Sequence, residues 1–220
     1  MIVAIDGPAA SGKSTTAKMV AKKLKMTYLD TGAMYRAVTL ALLRSNTDLD
    51  DYDSVSQVVD ELELDIYDQG SKTAVRLDGE DVTQEIRSMQ VTENVSAVSA
   101  VKYVREAMVE IQRNIGKKTN CVVEGRDIGT VVFPDAEFKI FMVADVKMRA
   151  ERRLKELLEM GENRSLQEVM TDLKRRDEKD STRSHSPLQK ADEAIEIDTS
   201  MLSIDQQVEK IINLVREKNN

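Results

Sequence analysis

Ile2-Val3-Ala4-Ile5-Asp6-Gly7-Pro8-Ala9-Ala10-Ser11-Gly12-Lys13-Ser14 is the stretch that decides the architecture. It opens as a short apolar strand, and the octet Gly7–Ser14 follows at once. That octet fits the pattern of Gly, four free positions, then Gly-Lys-Ser/Thr. Glycines let the backbone turn tightly and turn successive N–H groups toward an anion. The N-terminus of the following helix adds partial positive charge. Lys13 supplies an ammonium for β- and γ-phosphates, and the Ser14 hydroxyl suits Mg²⁺. A Gly-rich turn that merely contains lysine would show the same letters. Its position between an apolar strand and an amphipathic helix favours the nucleotide reading.

Working outward, strand and helix patterns alternate. A helix is expected over 13–25, with Ala17, Val20, Ala21 and Leu24 on one face. A short strand at 27–30 and a helix at 33–45 follow, then a short helix near 54–61. Runs 62–67 and 73–77 read as paired strands joined by the turn residues Gln69-Gly70-Ser71-Lys72. Helix 101–115, strands 121–124 and 138–143, and helices 146–160 and 165–180 come next. Strand 194–198 and helix 204–217 close the pattern. Short strands alternating with helices predict a three-layer α/β fold on a central parallel sheet. The hairpin breaks that alternation, so 45–90 is expected to be an inserted subdomain. Residues 155–183 are read as a mobile lid interrupted at Gly161, its opposed charges leaving no conventional apolar core. The core is then 1–44, 91–154 and 184–220.

Composition narrows the class. The 220 residues are 41% hydrophobic and 32% charged, as in a globular chain. No run of 18 apolar residues suggests a membrane span, and neither a basic flank nor a signal-type apolar segment precedes the first strand. The single Cys121 excludes an internal disulfide and reads as a buried strand residue. A cytoplasmic setting is expected. The net charge of −7 argues against coating nucleic acid. Its distribution is uneven: 48–68 holds nine acids and no Lys or Arg, whereas 147–183 holds eleven Lys/Arg against nine acids. The second stretch is either a solvated mixed-charge surface or an arginine field for phosphates.

A phosphate loop alone permits kinases, GTPases and motors. No Asn-Lys-x-Asp occurs to read guanine. Arginines at 36, 105, 126, 176 and 183 suit phosphoryl transfer, in which positioning and charge neutralisation dominate. Three segments then carry a resemblance: Asp30-Thr31-Gly32-Ala33-Met34-Tyr35-Arg36, Glu124-Gly125-Arg126-Asp127-Ile128-Gly129-Thr130-Val131-Val132-Phe133-Pro134-Asp135, and Arg176-Asp177-Glu178-Lys179-Asp180-Ser181-Thr182-Arg183. With the phosphate loop they make the chain resemble the bacterial cytidylate kinases over essentially its whole length.

The resemblance implies a P-loop nucleoside monophosphate kinase that passes the γ-phosphoryl of ATP to CMP or dCMP, with Mg²⁺. Gly7, Pro8, Ala9, Ala10, Ser11, Gly12, Lys13, Ser14 and Thr15 would cradle ATP, Ser14 also facing the metal. Arg36, Arg126 and Arg176 would hold the phosphate of CMP, with Thr31 lining its pocket. Ser96, Arg105, Asp127 and Arg183 would recognise cytosine, and Asp180 the ribose hydroxyls. Lys13, Arg126 and Arg176 would act in catalysis. A monomer is expected. Plainer readings stand beside these. Arg105 could face solvent, Arg126 and Asp127 could pair structurally, and Asp180 and Arg183 could be charges on a frayed helix end. His185 reads as a surface residue, and Arg149, Arg152 and Arg153 could flank ATP or simply form a charged face. A nucleotide-dependent switch, or a kinase for UMP or dTMP, remains the rival function.

Overall fold

A computed structural model describes residues 1–68, 73–159 and 161–218. The opening apolar run forms β1 (Ile2–Asp6), and the octet delivers the chain into α1 (Lys13–Leu24). Then come β2 (Thr27–Asp30), α2 (Thr31–Arg44), α3 (Tyr52–Asp60), β3 (Leu64–Asp68), β4 (Thr73–Leu77) and the two-residue β5 (Glu80–Asp81). Helices α4 (Met89–Val98) and α5 (Lys102–Lys118) precede β6 (Cys121–Gly125) and β7 (Phe138–Val143). The chain ends through α6 (Val146–Glu159), α7 (Leu166–Thr182), β8 (Ile195–Asp198) and α8 (Ile204–Lys218).

The fold is mixed α/β around a five-stranded sheet ordered β2-β6-β1-β7-β8. β1 lies at the centre, running parallel to β6 from Ile2↔Cys121 to Asp6↔Gly125 and parallel to β7 from Val3↔Phe138. A central parallel strand is buried on both faces, which is why Val3, Ala4 and Ile5 are all apolar and fully covered. Ala17, Val20 and Ala21 of α1 and Val208, Ile211, Ile212 and Val215 of α8 pack with Val3, Ile5, Val122, Ile140 and Met142. Cys121 is buried on its strand, as expected. No helix among the described residues is long and apolar enough to cross a membrane.

The chain divides into two compact units, Met1–Leu29 with Thr119–Asn220, and Asp30–Lys118. The expected insertion, 45–90, falls within the second and the expected lid, 155–183, within the first. The second unit has its own core of Ala33, Ala37, Leu40, Val75, Leu77, Val82, Ile86 and Val91. Strands β3 and β4 are antiparallel from Leu64↔Leu77 to Asp68↔Thr73. The expected turn at 69–72 lies outside the described residues.

Three features depart from the sequence reading. α2 starts at Thr31 because the Asp30 carboxylate caps it, accepting from the Ala33 N–H at 2.9 Å. Helix α4 was not expected, and Ser88 caps it by accepting from Val91 N–H. Third, α6 and α7 do share an apolar core: Ala150, Leu157, Val169 and Leu173 bury together with Ala9 of the phosphate loop. Lys147, Glu151, Lys155, Lys174 and Lys179 are among the charges that stay exposed, whereas Arg149 and Asp180 are buried, and a capping box of Ser165 and Glu168 starts α7.

One buried group stands apart. Gln112 of α5 is completely buried, and neither amide atom has a hydrogen-bond partner among the described residues. An unsatisfied buried polar group costs about 1–3 kcal/mol, and an apolar group of similar shape removes that cost. Gln112→Leu should therefore raise Tm by about 2–6 °C in thermal denaturation. An unchanged or lowered Tm would mean that the amide finds partners in solution.

Candidate active site

The phosphate loop is shaped by two positions that demand glycine. Gly7 has φ +149°, and a Cβ there would collide with the Met142 carbonyl oxygen. Gly12 has φ +93°, and its Cβ would lie 3.0 Å from Gln207 Oε1. Gly12 sits at the N-cap of α1 without a capping side chain, so the first N–H groups of the helix keep their donors for an anion. From behind, the loop is held by its carbonyls. Thr199 Oγ1 donates to Ser11 O at 2.8 Å, and Arg149 Nη1 donates to Ala9 O at 3.2 Å. Arg152 binds the Thr199 carbonyl at 2.6 Å. Arg149 and Arg152 therefore brace the loop backbone, a role that a charged helical face did not suggest.

Lys13 is buried, and its Nζ donates to Pro8 O at 2.8 Å. Burial lowers its pKa from 10.5 to about 7, and Arg126 and Arg176 push in the same direction against Glu124 and Asp6. Ser14 and Thr15, by contrast, are exposed on the first turn of α1. Among the described residues no group of three His, Cys, Asp or Glu could hold a metal ion. The accessible Ser14 hydroxyl fits Mg²⁺, which keeps several waters and takes its remaining ligands from phosphates.

Two arginines, Arg126 and Arg176, act on Lys13 electrostatically. Arg176 is drawn to a pKa of about 10, first by burial and then by Arg126. Its Nε is buried with no hydrogen-bond partner among the described residues. Arg126 Nε binds Asp180 Oδ2 at 2.9 Å. Burial pulls Arg126 down, but Asp180 outweighs it and raises the guanidinium further. Burial also opposes ionisation of Asp180, and Arg126 and Arg176 reverse that and hold it below the usual carboxylate range. Asp127 is buried with Arg183, Oδ1 to Nη2 at 3.7 Å. Arg149 binds Asp177 Oδ2 at 2.7 Å.

These pairings answer two plainer readings. The ion pair of Arg126 is with Asp180 and that of Asp127 is with Arg183, so the two neighbours turn to different partners. Asp180 is buried rather than frayed at the surface. His185 is exposed, as expected.

The remaining expected residues lie in the second unit. Thr31 is buried at the start of α2. Arg36 Nη1 donates to Ile86 O at 3.2 Å and to Thr92 Oγ1 at 2.9 Å. Arg105 is only 4% exposed, so the solvent-facing reading fails. Its guanidinium lies over the Tyr35 ring, 5.3 Å from the centroid, and Nη1 donates to Ser99 O at 3.0 Å. Ser96 is half-buried on α4, its carbonyl accepting from Ser99 Oγ. In the first unit, Asp6 was missed: it is buried at the end of β1 and accepts from two backbone N–H groups of the 126–129 segment. Its only sequence signal was an acid closing an apolar strand.

A parallel sheet whose central strand feeds a phosphate loop, with buried lysine and arginines around it, defines a P-loop phosphotransferase. The family model described as cytidylate kinase matches residues 3–217, and the chain belongs to that family. A cytidylate kinase of Clostridioides difficile (strain 630) is 47% identical, covering 98% of this chain and 98% of that one. One of Fusobacterium nucleatum subsp. nucleatum is 50% identical, covering 99% and 96%. The crystal structure of an uncharacterized protein from Eubacterium ventriosum ATCC 27560 shares the fold, with TM-score 0.54 at 14% identity over 99% of this chain and 98% of that one. The enzyme is a nucleoside monophosphate kinase.

Proposed function

We propose that this enzyme transfers the γ-phosphoryl of ATP to CMP, and to dCMP, giving the diphosphate and ADP. The observation that carries the reading is the buried Arg176 Nε, without a hydrogen-bond partner among the described residues, in company with a lysine whose proton affinity burial and two arginines depress. A polyanion relieves both costs at once.

Gly7–Thr15 hold the triphosphate, and Lys13 follows the β- and γ-phosphates. Mg²⁺, with Ser14 as its protein ligand, would supply charge neutralisation on the phosphates. An oxygen of the CMP phosphate attacks the γ-phosphorus as the bond to the β-bridging oxygen breaks. No general base is needed, because that oxygen is ionised at neutral pH. Arg126 and Arg176 stabilise charge on the transferring group. Arg36 and Thr31 hold the CMP phosphate, Asp180 the ribose, and Ser96, Arg105, Asp127 and Arg183 the base. The 155–183 segment acts as a lid hinged near Gly161, where φ is +82°, and in the polar segment after Asp180. The enzyme works as a cytoplasmic monomer.

A coupled assay of ADP release tests this across CMP, dCMP, UMP and dTMP. Release should depend on CMP or dCMP, mole for mole. Release at the same rate without any monophosphate would overturn the reading in favour of a switch, and a preference for UMP or dTMP would replace the acceptor.

A further inference from the structure

Asp6 ends the central strand and directly precedes Gly7, the first residue of the phosphate loop. In the sheet it pairs with Gly125, the residue before Arg126. It is 5% exposed, and both its carboxylate oxygens are used: Oδ1 accepts from Ile128 N–H and Oδ2 from Gly129 N–H, both at 2.8 Å. Those N–H groups open the wide turn Ile128–Val132, whose own bonds begin only with Val131 and Val132 donating to Asp127 O. The first donors of such a turn have no acceptor within it. Buried, they need one from elsewhere, and Asp6 provides both.

We propose that Asp6 is a positioning residue for the acceptor nucleotide, clamping the backbone at 128–129 so that Arg126 and Asp127 leave the strand in their working directions. The inference rests on the reading that Arg126 and Asp127 contact CMP. Asp127 has φ −142° and ψ 25°, so the chain bends sharply between the strand and the turn. The next two N–H groups are both held by one rigid carboxylate on the neighbouring strand. Loss of the clamp frees that bend, and misplacement by an ångström is enough to cost affinity and rate. The triphosphate cradle is built from other groups: the loop carbonyls are held by Arg149 and Thr199. Asp6 reaches Lys13 only through a minor electrostatic effect, whereas its two hydrogen bonds both go to the 128–129 backbone, so its larger effect falls on the acceptor side.

Equilibrium titrations of CMP and of ATP, each alone, on wild type, Asp6→Asn, Asp6→Ala and Arg126→Ala decide it. Asp6→Ala should weaken CMP by about tenfold with ATP changed less than about threefold, as loss of a supporting contact does. Asp6→Asn keeps an acceptor for one of the two N–H groups and should fall between wild type and Asp6→Ala. Equal weakening of both nucleotides in Asp6→Asn, or unchanged CMP affinity in a folded Asp6→Asn, overturns the clamp. Should Asp6→Ala not fold, the split between CMP and ATP in Asp6→Asn alone is decisive. Arg126→Ala tests the underlying site: if it leaves CMP affinity unchanged, the reading of the CMP site fails, and the inference with it. If Arg126→Ala weakens CMP while Asp6→Asn does not, only the clamp fails.

Discussion

Lys13→Met leaves a folded protein whose turnover falls about a hundred- to a thousandfold, the scale seen when one preorganised charge is removed from a transition state. Methionine keeps much of the apolar stem and removes only the ammonium. Loss of a lysine in an exposed loop would hardly touch stability. The structure buries Lys13, and the sign of its pKa shift decides the stability effect. Its pKa falls from 10.5 to about 7, first through burial and then through Arg126. The unfolded state therefore binds more protons between those values, so stability rises with pH across that window and the full penalty stands below about 7. Methionine carries no such penalty. Near neutral pH the variant's Tm should equal or exceed that of wild type, and its rise toward alkaline pH should flatten. Steady-state rates and thermal melts from pH 6 to 10 measure both effects. Retention of more than a tenth of wild-type turnover would sink the role of Lys13. A large fall in Tm would mean that burial of the charge is compensated in ways the free protein's fold does not express.

Much of this was legible from local pattern, and the failures have local reasons too. The strand–turn–helix at the start could be read because a parallel central strand must be apolar on both faces and a phosphate loop must spend its glycines where side chains collide. The β3–β4 strands could be read because two short runs flank the turn residues Gln69-Gly70-Ser71-Lys72. Helix α4 could not. Its core-facing Val91, Val95 and Val98 have helical spacing, but they are β-branched and sit among Thr92, Asn94 and Ser96. Tertiary packing, not propensity, makes that helix. The core of α6 and α7 was hidden by composition. Leu157, Val169 and Leu173 are few among charges, but few residues suffice when two helices face each other and a loop alanine. The site's pairings were beyond any local reading. Arg126 meets Asp180 across 54 positions, and Asp6 meets Gly129 across 123. The motifs identified which residues matter, whereas only the fold assigns their partners. That is why Asp6 escaped notice: an acid at a strand end carries no motif until the turn it clamps is in place.

Asp127→Ala should collapse the discrimination between CMP and UMP, chiefly by losing CMP activity. Cytosine offers an exocyclic amine, and a carboxylate accepts from it; uracil presents a carbonyl oxygen there instead. Facing that oxygen, the buried Asp127 carboxylate would lose its donor and meet a second acceptor, at a cost of about 1–3 kcal/mol. Sites that strand their own polar groups against the wrong ligand discriminate strongly. Wild type should accordingly favour CMP over UMP by at least about tenfold in kcat/KM. The structure supplies a competing account for the same residue. Asp127 lies 3.7 Å from Arg183, with side-chain exposures of 5% and 7%, and alanine weakens that buried pair as well. Breaking a buried pair destabilises by about 3–5 kcal/mol, so a low Tm in Asp127→Ala says nothing about the base. The ratio does. Lost packing or a displaced Arg183 would depress CMP and UMP alike and leave their ratio unchanged, whereas loss of base reading brings the ratio toward one. Asp127→Asn sharpens the test. Its amide fills the same volume and can turn an N–H toward the uracil carbonyl, so UMP activity should rise relative to CMP. Should the CMP-to-UMP ratio persist in both variants, Asp127 serves Arg183 and not the base.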